Sequence, residues 1–267
     1  MKKLRIALAQ TRPVLRDKKS NVHIAEEWIG RAAREKAEIV IFPELFLTGY
    51  LIGEHLQEMA ETVRGENVVR LAEIAKAYKI ALIMGFAEMD EANGQIYDAS
   101  FYCNAFGTII GTYRKIHLYA AEKEWFSRGQ EFVIWERDRD RFGALICYDL
   151  EFPEHARILA LRGARWLAAC TGNMKPNEHA QEVFMQARAL ENHIWVALAN
   201  RLGKEGEIEF FGGSAVSDPT GKIVVKATDE ETLLVADIDL GRNNQAIAED
   251  TNYLAERCPQ CYGDLVK

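Results

Sequence analysis

LRIALAQTRPVLRDKKSNVHIAEEWIGRAAREKAEIVIF, residues 4–42, carries three periodicities in succession. Residues 4–9 (LRIALA) alternate loosely and predict a strand. After a turn at Thr11–Val14, the residues Val22, Ala25, Ile29, Ala32 and Ala33 recur at helical spacing between about Ser20 and Lys36, the apolar stripe of an amphipathic helix. AEIVIF, residues 37–42, is a near-continuous apolar run, as expected of a strand covered on both faces. The segment therefore reads as strand, helix, strand.

Outward from it the unit repeats. A helix is predicted from Asn67 to Tyr78, then strands at IALIMGFAE (80–88), QIYDASFYCN (95–104) and TIIGTYRKIHL (108–118), with Asn93-Gly94 and Phe106-Gly107 at the turns. RFGALIC (141–147) is a strand ending at Cys147, and PEHARILALRG (153–163) is a helix opened by Pro153. WLAAC (166–170), a helix over Glu178–Asn192 and IWVALAN (194–200) give one more round. FFGGSAVSDPTGKIVVKA (210–227) reads as a hairpin turning at Asp218–Gly221, and ETLLVADIDL (231–240) closes the sheet. Strands that come singly and in hairpins, with helices between, predict an α/β fold with mixed sheets and outer helices. Two such sheets face to face make a four-layer αββα sandwich. No linker, repeat or low-complexity tract divides the chain, so residues 1–267 read as one domain with a C-terminal tail from about 241.

Composition narrows the class. Hydrophobic residues make up 48% and charged residues 27%, as in ordinary globular proteins. Arg5 and Gln10 interrupt the N-terminal MKKLRIALAQ and no small-residue cleavage site follows, which argues against a signal peptide. No apolar run approaches the roughly 20 residues that span a bilayer, so the expected compartment is the cytoplasm, and the five cysteines read as thiols. A net charge of -7 disfavours nucleic acid, which needs a basic surface. A small neutral or cationic partner fits better.

Three positions could carry chemistry. Cys147 ends an apolar strand just before the polar turn YDLE, where the backbone bends and free amides can face a developing oxyanion; a buried structural thiol would look the same. Glu44 follows AEIVIF and precedes Leu45-Phe46, so it reads either as a part-buried carboxylate whose pKa burial raises toward that of a general base or as a surface loop glutamate. In TYRKIHL, period-two alternation places Tyr113, Lys115, His117 and Tyr119 on one face. Lys115 near Cys147 would favour a thiolate or hold an oxyanion, whereas alone it is an edge-strand lysine. His117 is the rival base of a Cys/His arrangement.

FPELFLTGY around Glu44, YRKIHL around Lys115 and LICYDLEFPE around Cys147 resemble, in order, the three signature segments of the nitrilase superfamily of carbon-nitrogen hydrolases. MKPNEHAQEVFMQARALEN and FFGGSAVSDPTG resemble further family segments, so the likeness runs over nearly the whole chain. Within the family the chain is most similar to short bacterial aliphatic amidases of the 5-aminopentanamidase and R-stereoselective amidase type. The resemblance implies an αββα fold, a homodimer, a Glu44-Lys115-Cys147 triad and a small amide substrate cleaved to acid and ammonia through a Cys147 thioester. It implies no metal or organic cofactor. Nitrilase or N-carbamoyl amine hydrolase activity on the same triad is the alternative, and a catalytically silent binding subunit a more distant one. It places Glu122 of AAEKEWFSRG beside the lysine, with Glu124 as neighbouring alternative, and puts Tyr148, Asn173, Tyr50 and Trp125 at the substrate.

Two departures from the family pattern are Arg128, where a proline is common, and Asp98, where an asparagine is frequent. Both are expected to alter loops over the pocket. Cys258 and Cys261 have CxxC spacing without a second pair and read as a tail turn instead of a zinc site. Cys103 and Cys170 lie inside apolar strands and are expected to be inert.

Overall fold

Alternation along the first strand sends Ile6 and Leu8 to one hydrophobic core and Ala7 and Ala9 to another. The computed structural model describes residues 3–138, 140–242 and 251–266. Its first half runs β1 (Lys3–Gln10), α1 (Lys18–Arg34), β2 (Ile39–Ile41), α2 (Leu56–Met59), α3 (Glu66–Tyr78), β3 (Ala81–Met89), β4 (Ile96–Cys103), β5 (Ile109–Arg114) and α4 (Glu122–Trp125). The second half runs β6 (Ile134–Arg137), β7 (Asp140–Ile146), α5 (Pro153–Leu161), β8 (Trp166–Thr171), α6 (Glu178–Asn192), β9 (Trp195–Asn200), β10 (Leu202–Glu205), β11 (Ile208–Phe211), β12 (Ala215–Ser217), β13 (Ile223–Lys226) and β14 (Thr232–Asp239).

Two six-stranded mixed sheets form, ordered β14-β1-β2-β3-β4-β5 and β13-β12-β9-β8-β7-β6. Between them lie the inward faces of both, among them Ile6, Leu8, Ile39, Ile41 and Ile83 against Phe142, Ile146, Trp166 and Val216. Helices α1 and α3 cover the outer face of the first sheet through Val22, Ala25, Ile29, Leu71 and Ala75. On the other side α5 and α6 cover the second through Leu159, Met185 and Ala189. This is the αββα sandwich. The stripe predicted for the first helix is the buried one, and Asp17 starts that helix by accepting the Ser20 amide at 3.0 Å.

Several boundaries differ from the sequence reading. TIIGTYRKIHL leaves the sheet at Arg114, so strand alternation does not govern Lys115, His117 and Tyr119. Strand β6, at the sheet edge, was not expected, because VIWER shows little apolar periodicity. Nor was the β10–β11 hairpin, whose strands carry the charged residues Lys204, Glu205 and Glu209. Trp28, Trp135, Trp166 and Trp195 are core residues, while Trp125 is 46% exposed. Of the tail expected from about 241, residues 243–250 lie outside the described residues; Cys258 and Cys261 flank an exposed turn and are free thiols. Among the described residues no helix is long and apolar enough to cross a membrane.

Candidate active site

The ends of β2, β5 and β7 bring Glu44, Lys115 and Cys147 together at one end of the sandwich. Glu44 is fully buried and sits on a turn that packs on β3 without a gap: a Cβ at Gly85 would lie 2.6 Å from the Leu45 nitrogen and 2.7 Å from Glu44 Cα. Leu45 takes φ +47° and Cys147 φ +45°, left-handed conformations that β-carbon sterics disfavour. Each marks a sharp break between strand and turn, and such strain gathers at functional sites. Past Cys147 the chain enters a 3-10 turn, Cys147–Glu151, whose leading amides, that of Tyr148 included, have no partner within the turn.

Lys115, fully buried, ion-pairs with Glu44 Oε1, with Glu122 Oε2 at 2.8 Å and with Asp98 Oδ2 at 3.2 Å. Burial alone would lower the ammonium, but Glu44, Glu122 and Asp98 more than offset it and hold it well above the usual lysine range. The three carboxylates are close enough to hold a metal ion, and the lysine ammonium fills that role. Glu122 is fixed further by the Tyr50 hydroxyl at 2.5 Å and the Tyr119 amide at 2.8 Å. Its neighbour Glu124 is exposed, so of the two it is Glu122 that reaches Lys115.

Cys147 Sγ lies 3.1 Å from Asn173 Oδ1 and is 8% exposed. Burial pushes its thiol up, Glu44 adds to this, and Lys115 and the Gly172 amide oppose it. Of these, Lys115 favours the thiolate, but burial and Glu44 outweigh it. Glu44 Oε2 has no hydrogen-bond partner and faces Gly172, where a Cβ would come within 2.7 Å of it. A buried carboxylate oxygen left open near a thiol can accept a proton from it.

Asn173 is held by Asn200 Oδ1, which accepts its backbone N–H at 2.8 Å, and by Gln181 Oε1, which accepts from its side chain at 2.8 Å. Arg188 donates to the carbonyls of Leu150 and Glu151, both at 2.9 Å, and so braces the turn after Cys147. Glu205 accepts the amides of Tyr50 and Leu51 at 2.9 and 2.7 Å and pairs with buried Arg201. Sequence reasoning missed Gln181, Asn200, Arg201 and Glu205; for Asn200 and Arg201 the available signal was polarity at the end of the apolar strand β9, while Gln181 lies in α6 and Glu205 in the charged β10. Tyr148 packs its ring on Tyr119 and Phe152.

A cavity of about 470 Å³ opens beside the cluster, walled by Tyr50, Ile52, Leu56, Glu122, Trp125 and Met174, with Arg16 at its edge. Neither departure from the family pattern shapes a loop over it. Arg128 borders a different cavity with Tyr97 and Arg114, and Asp98 lies fully buried within β4, against Lys115. Cys103 is a core thiol that burial pushes up to about 12, and burial raises buried Cys170 likewise.

A two-sheet αββα sandwich with a cysteine, a lysine and carboxylates at the sheet ends defines a class of hydrolytic enzyme. Residues 5–248 match the carbon-nitrogen hydrolase family model, and the chain belongs to that family. It is 37% identical over 270 residues to a Pseudomonas protegens protein described as a hydrolase in the pqqF 5' region, covering 100% of this chain and 93% of that one. To an (R)-stereoselective amidase of Pseudomonas sp. it is 34% identical over 223 residues, covering 82% of this chain and 79% of the relative. An amidase from Nesterenkonia sp., crystallised as a mutant with acrylamide added at its active-site cysteine, superposes with a TM-score of 0.87 at 28% identity, over 98% of this chain and 99% of that one.

Proposed function

We propose that the protein is a thiol amidase that hydrolyses small aliphatic amides, with Cys147 as nucleophile, Glu44 as general base and acid, and Lys115 as oxyanion holder. The observation that carries this is Cys147 on a strained turn, its thiol pushed up by burial and by Glu44, whose Oε2 has no hydrogen-bond partner. Glu44 accepts the thiol proton as sulfur attacks the amide carbon. Lys115 and the Tyr148 amide hold the oxyanion. The proton on Glu44 passes to the leaving nitrogen, ammonia departs, and a thioester remains. Water then gives a proton to Glu44 and its oxygen to the acyl carbon; the thiolate leaves with that proton and the acid is released. Glu122 orients Lys115, with Asn173, Tyr50 and Trp125 at the substrate. The acrylamide adduct on the cysteine of the Nesterenkonia amidase supports a thiol that takes small amides.

The tail we propose is neutral and apolar. Glu122, a carboxylate in the cavity wall, is already committed to Lys115, Tyr50 and Tyr119, which leaves no free anion there for an ω-ammonium group. Nitrile and carbamoyl substrates remain the second reading, since the same triad suits them. We extend the proposal to a cytoplasmic homodimer, on the family resemblance and the composition; light scattering giving the 30.2 kDa monomer mass would remove the dimer.

Released ammonia should be measured with butyramide, 5-aminopentanamide, a dicarboxylic acid monoamide, a nitrile and a carbamoyl amine. Highest kcat/KM on the neutral amide is the expected result, and preference for either charged amide overturns the tail assignment. Cys147→Ala should abolish turnover with the fold intact, and mass spectrometry of the wild type should place the acyl group on the peptide containing Cys147. An adduct on Cys103 or Cys170 instead would refute the nucleophile.

A further inference from the structure

Three carboxylates surround one ammonium, and they are not equivalent. Glu44 makes the tightest pair with Lys115. Glu122 accepts from Lys115, the Tyr50 hydroxyl and the Tyr119 amide, so its charge is well solvated by protein donors. Asp98 is fully buried, and neither of its oxygens has a hydrogen-bond partner. Its only ionic neighbour among these contacts is Lys115 at 3.2 Å, a cation already shared by two other anions.

If all three were ionised, the buried cluster would hold an excess of two negative charges against a single lysine, and burial of uncompensated charge is strongly unfavourable. One proton more than the fully ionised count relieves this. Glu44 touches the ammonium directly, and although burial pushes the Glu122 carboxyl up, Lys115 and the Tyr50 hydroxyl oppose it, help that Asp98 has from Lys115 alone. The proton belongs on Asp98.

We propose that Asp98 stands as a neutral carboxylic acid whose O–H donates to the Glu44 carboxylate, a positioning residue that sets the basicity of Glu44. The donated hydrogen bond favours the Glu44 anion over its protonated form. It also occupies an Asp98 oxygen that would otherwise be buried without a partner, which native proteins rarely leave unexplained.

The surroundings agree. Burial pushes the Asp98 carboxyl well up, Lys115 opposes, and Glu44 and Glu122 raise it further. The charged or titratable groups that face it are Glu44 after β2, Lys115 after β5, Glu122 of α4 and Cys170 of β8. Arg201 lies near Glu44 but is paired with Glu205. Lys115 is thus the one cation that touches the cluster among the described residues. Loss of the Asp98 proton at alkaline pH would set a second anion against the base and the attacking sulfur, and activity would fall. An asparagine at this position keeps an N–H donor for Glu44 but has no proton to lose.

The test combines infrared spectroscopy and kinetics, and the first arm needs no substrate. With aspartate carboxyls labelled by carbon-13, the wild type at neutral pH should show the carbonyl stretch of a protonated carboxylic acid that Asp98→Asn lacks, with Asp140→Asn as the control for a second aspartate whose carboxyl burial raises. In the second arm, which rests on Glu44 being the base, the alkaline limb of kcat/KM should move up by about one unit or more in Asp98→Asn. Absence of the band from the wild type overturns the proposal. A band lost on substitution with an unmoved alkaline limb overturns the control of Glu44. Should Asp98→Asn fold poorly, titration of the wild-type band decides: disappearance below about pH 5, as for an ordinary aspartate, sinks the idea. Because the band is read without turnover, failure of the amidase reading leaves this arm standing and is told apart from failure of the inference.

Discussion

Two buried polar clusters are built on the same two stretches of chain, and they are finished differently. Around Asp149, two residues past Cys147, acceptor capacity is filled: Tyr113 hydroxyl at 2.6 Å, Ile146 amide at 3.0 Å, His117 amide at 3.0 Å and His117 Nδ1 at 2.8 Å. Burial would raise this carboxyl, but the nearby His155 and the hydrogen bonds from His117, His155 and Tyr113 outweigh it and hold it far below the carboxylate range. Around Lys115, flanked by those same Tyr113 and His117, Glu44 Oε2 and Asp98 are left open and the thiol is pushed up. A satisfied network fixes geometry. An unsatisfied one beside it holds groups ready to exchange protons.

The comparison breaks most visibly at Lys115. Lys115→Ala removes the cation from among three carboxylates and, on the proposed role, an oxyanion donor, which costs about 2.7 to 4 kcal/mol in comparable sites. Turnover should fall at least ~100-fold, with a lower thermal midpoint because the carboxylates then repel. Turnover within a few-fold of wild type would mean the open cluster is as structural as the closed one.

Asp149→Ala should act in the opposite sense, chiefly on stability. It strands the Tyr113 hydroxyl and the His117 ring inside the protein, and removing one partner from a buried charged network costs about 3–5 kcal/mol. The acid dependence gives an independent reading. A carboxyl held low in the fold contributes stability that is present above its unfolded value, near pH 4, and is lost as pH falls below it. Urea unfolding should therefore weaken with acid in the wild type more steeply than in Asp149→Ala. Parallel curves would show that these four hydrogen bonds merely match those to water.

What could be read from the residues follows the same division. Layers, core stripes and the ends of β2 and β7 were legible, because periodicity reports burial directly and Glu44 and Cys147 each close an apolar run. The placement of Lys115 was legible only through family motifs: its strand stops one residue earlier, and what seats it is contact with carboxylates from three other elements. Asp98 was noticed as an odd residue and misplaced, since a single aspartate in IYDAS does not reveal that its strand runs beneath the lysine. Glu205 and Gln181 went unread for a similar reason, as hydrogen bonds between segments far apart in sequence leave no local periodicity. Gly85, in the middle of β3, and Gly172, just past β8, look like any strand glycines until the Glu44 turn is packed against them.

The smallest effect is expected at His117, the residue that could have made this a Cys/His enzyme. Its Nδ1 is 2.8 Å from Asp149 and its ring stacks on Phe152 at 3.8 Å between centroids. A base needs a free lone pair aimed at the thiol, and this ring is occupied by the clamp that joins the Lys115 segment to the Cys147 turn. His117→Asn removes the ring stacking and one of Asp149's hydrogen bonds, while the backbone N–H of residue 117 still reaches the carboxylate. The expected cost is about 1–2 kcal/mol of stability and less than about tenfold in turnover, since tenfold is already 1.36 kcal/mol of barrier. The pH dependence of kcat/KM should keep its shape, because on the proposed roles the proton acceptor is Glu44 in both proteins. If His117→Asn instead lost more activity than Lys115→Ala while melting near the wild-type temperature, the closed cluster would be the catalytic one and the roles assigned to the two would have to be exchanged.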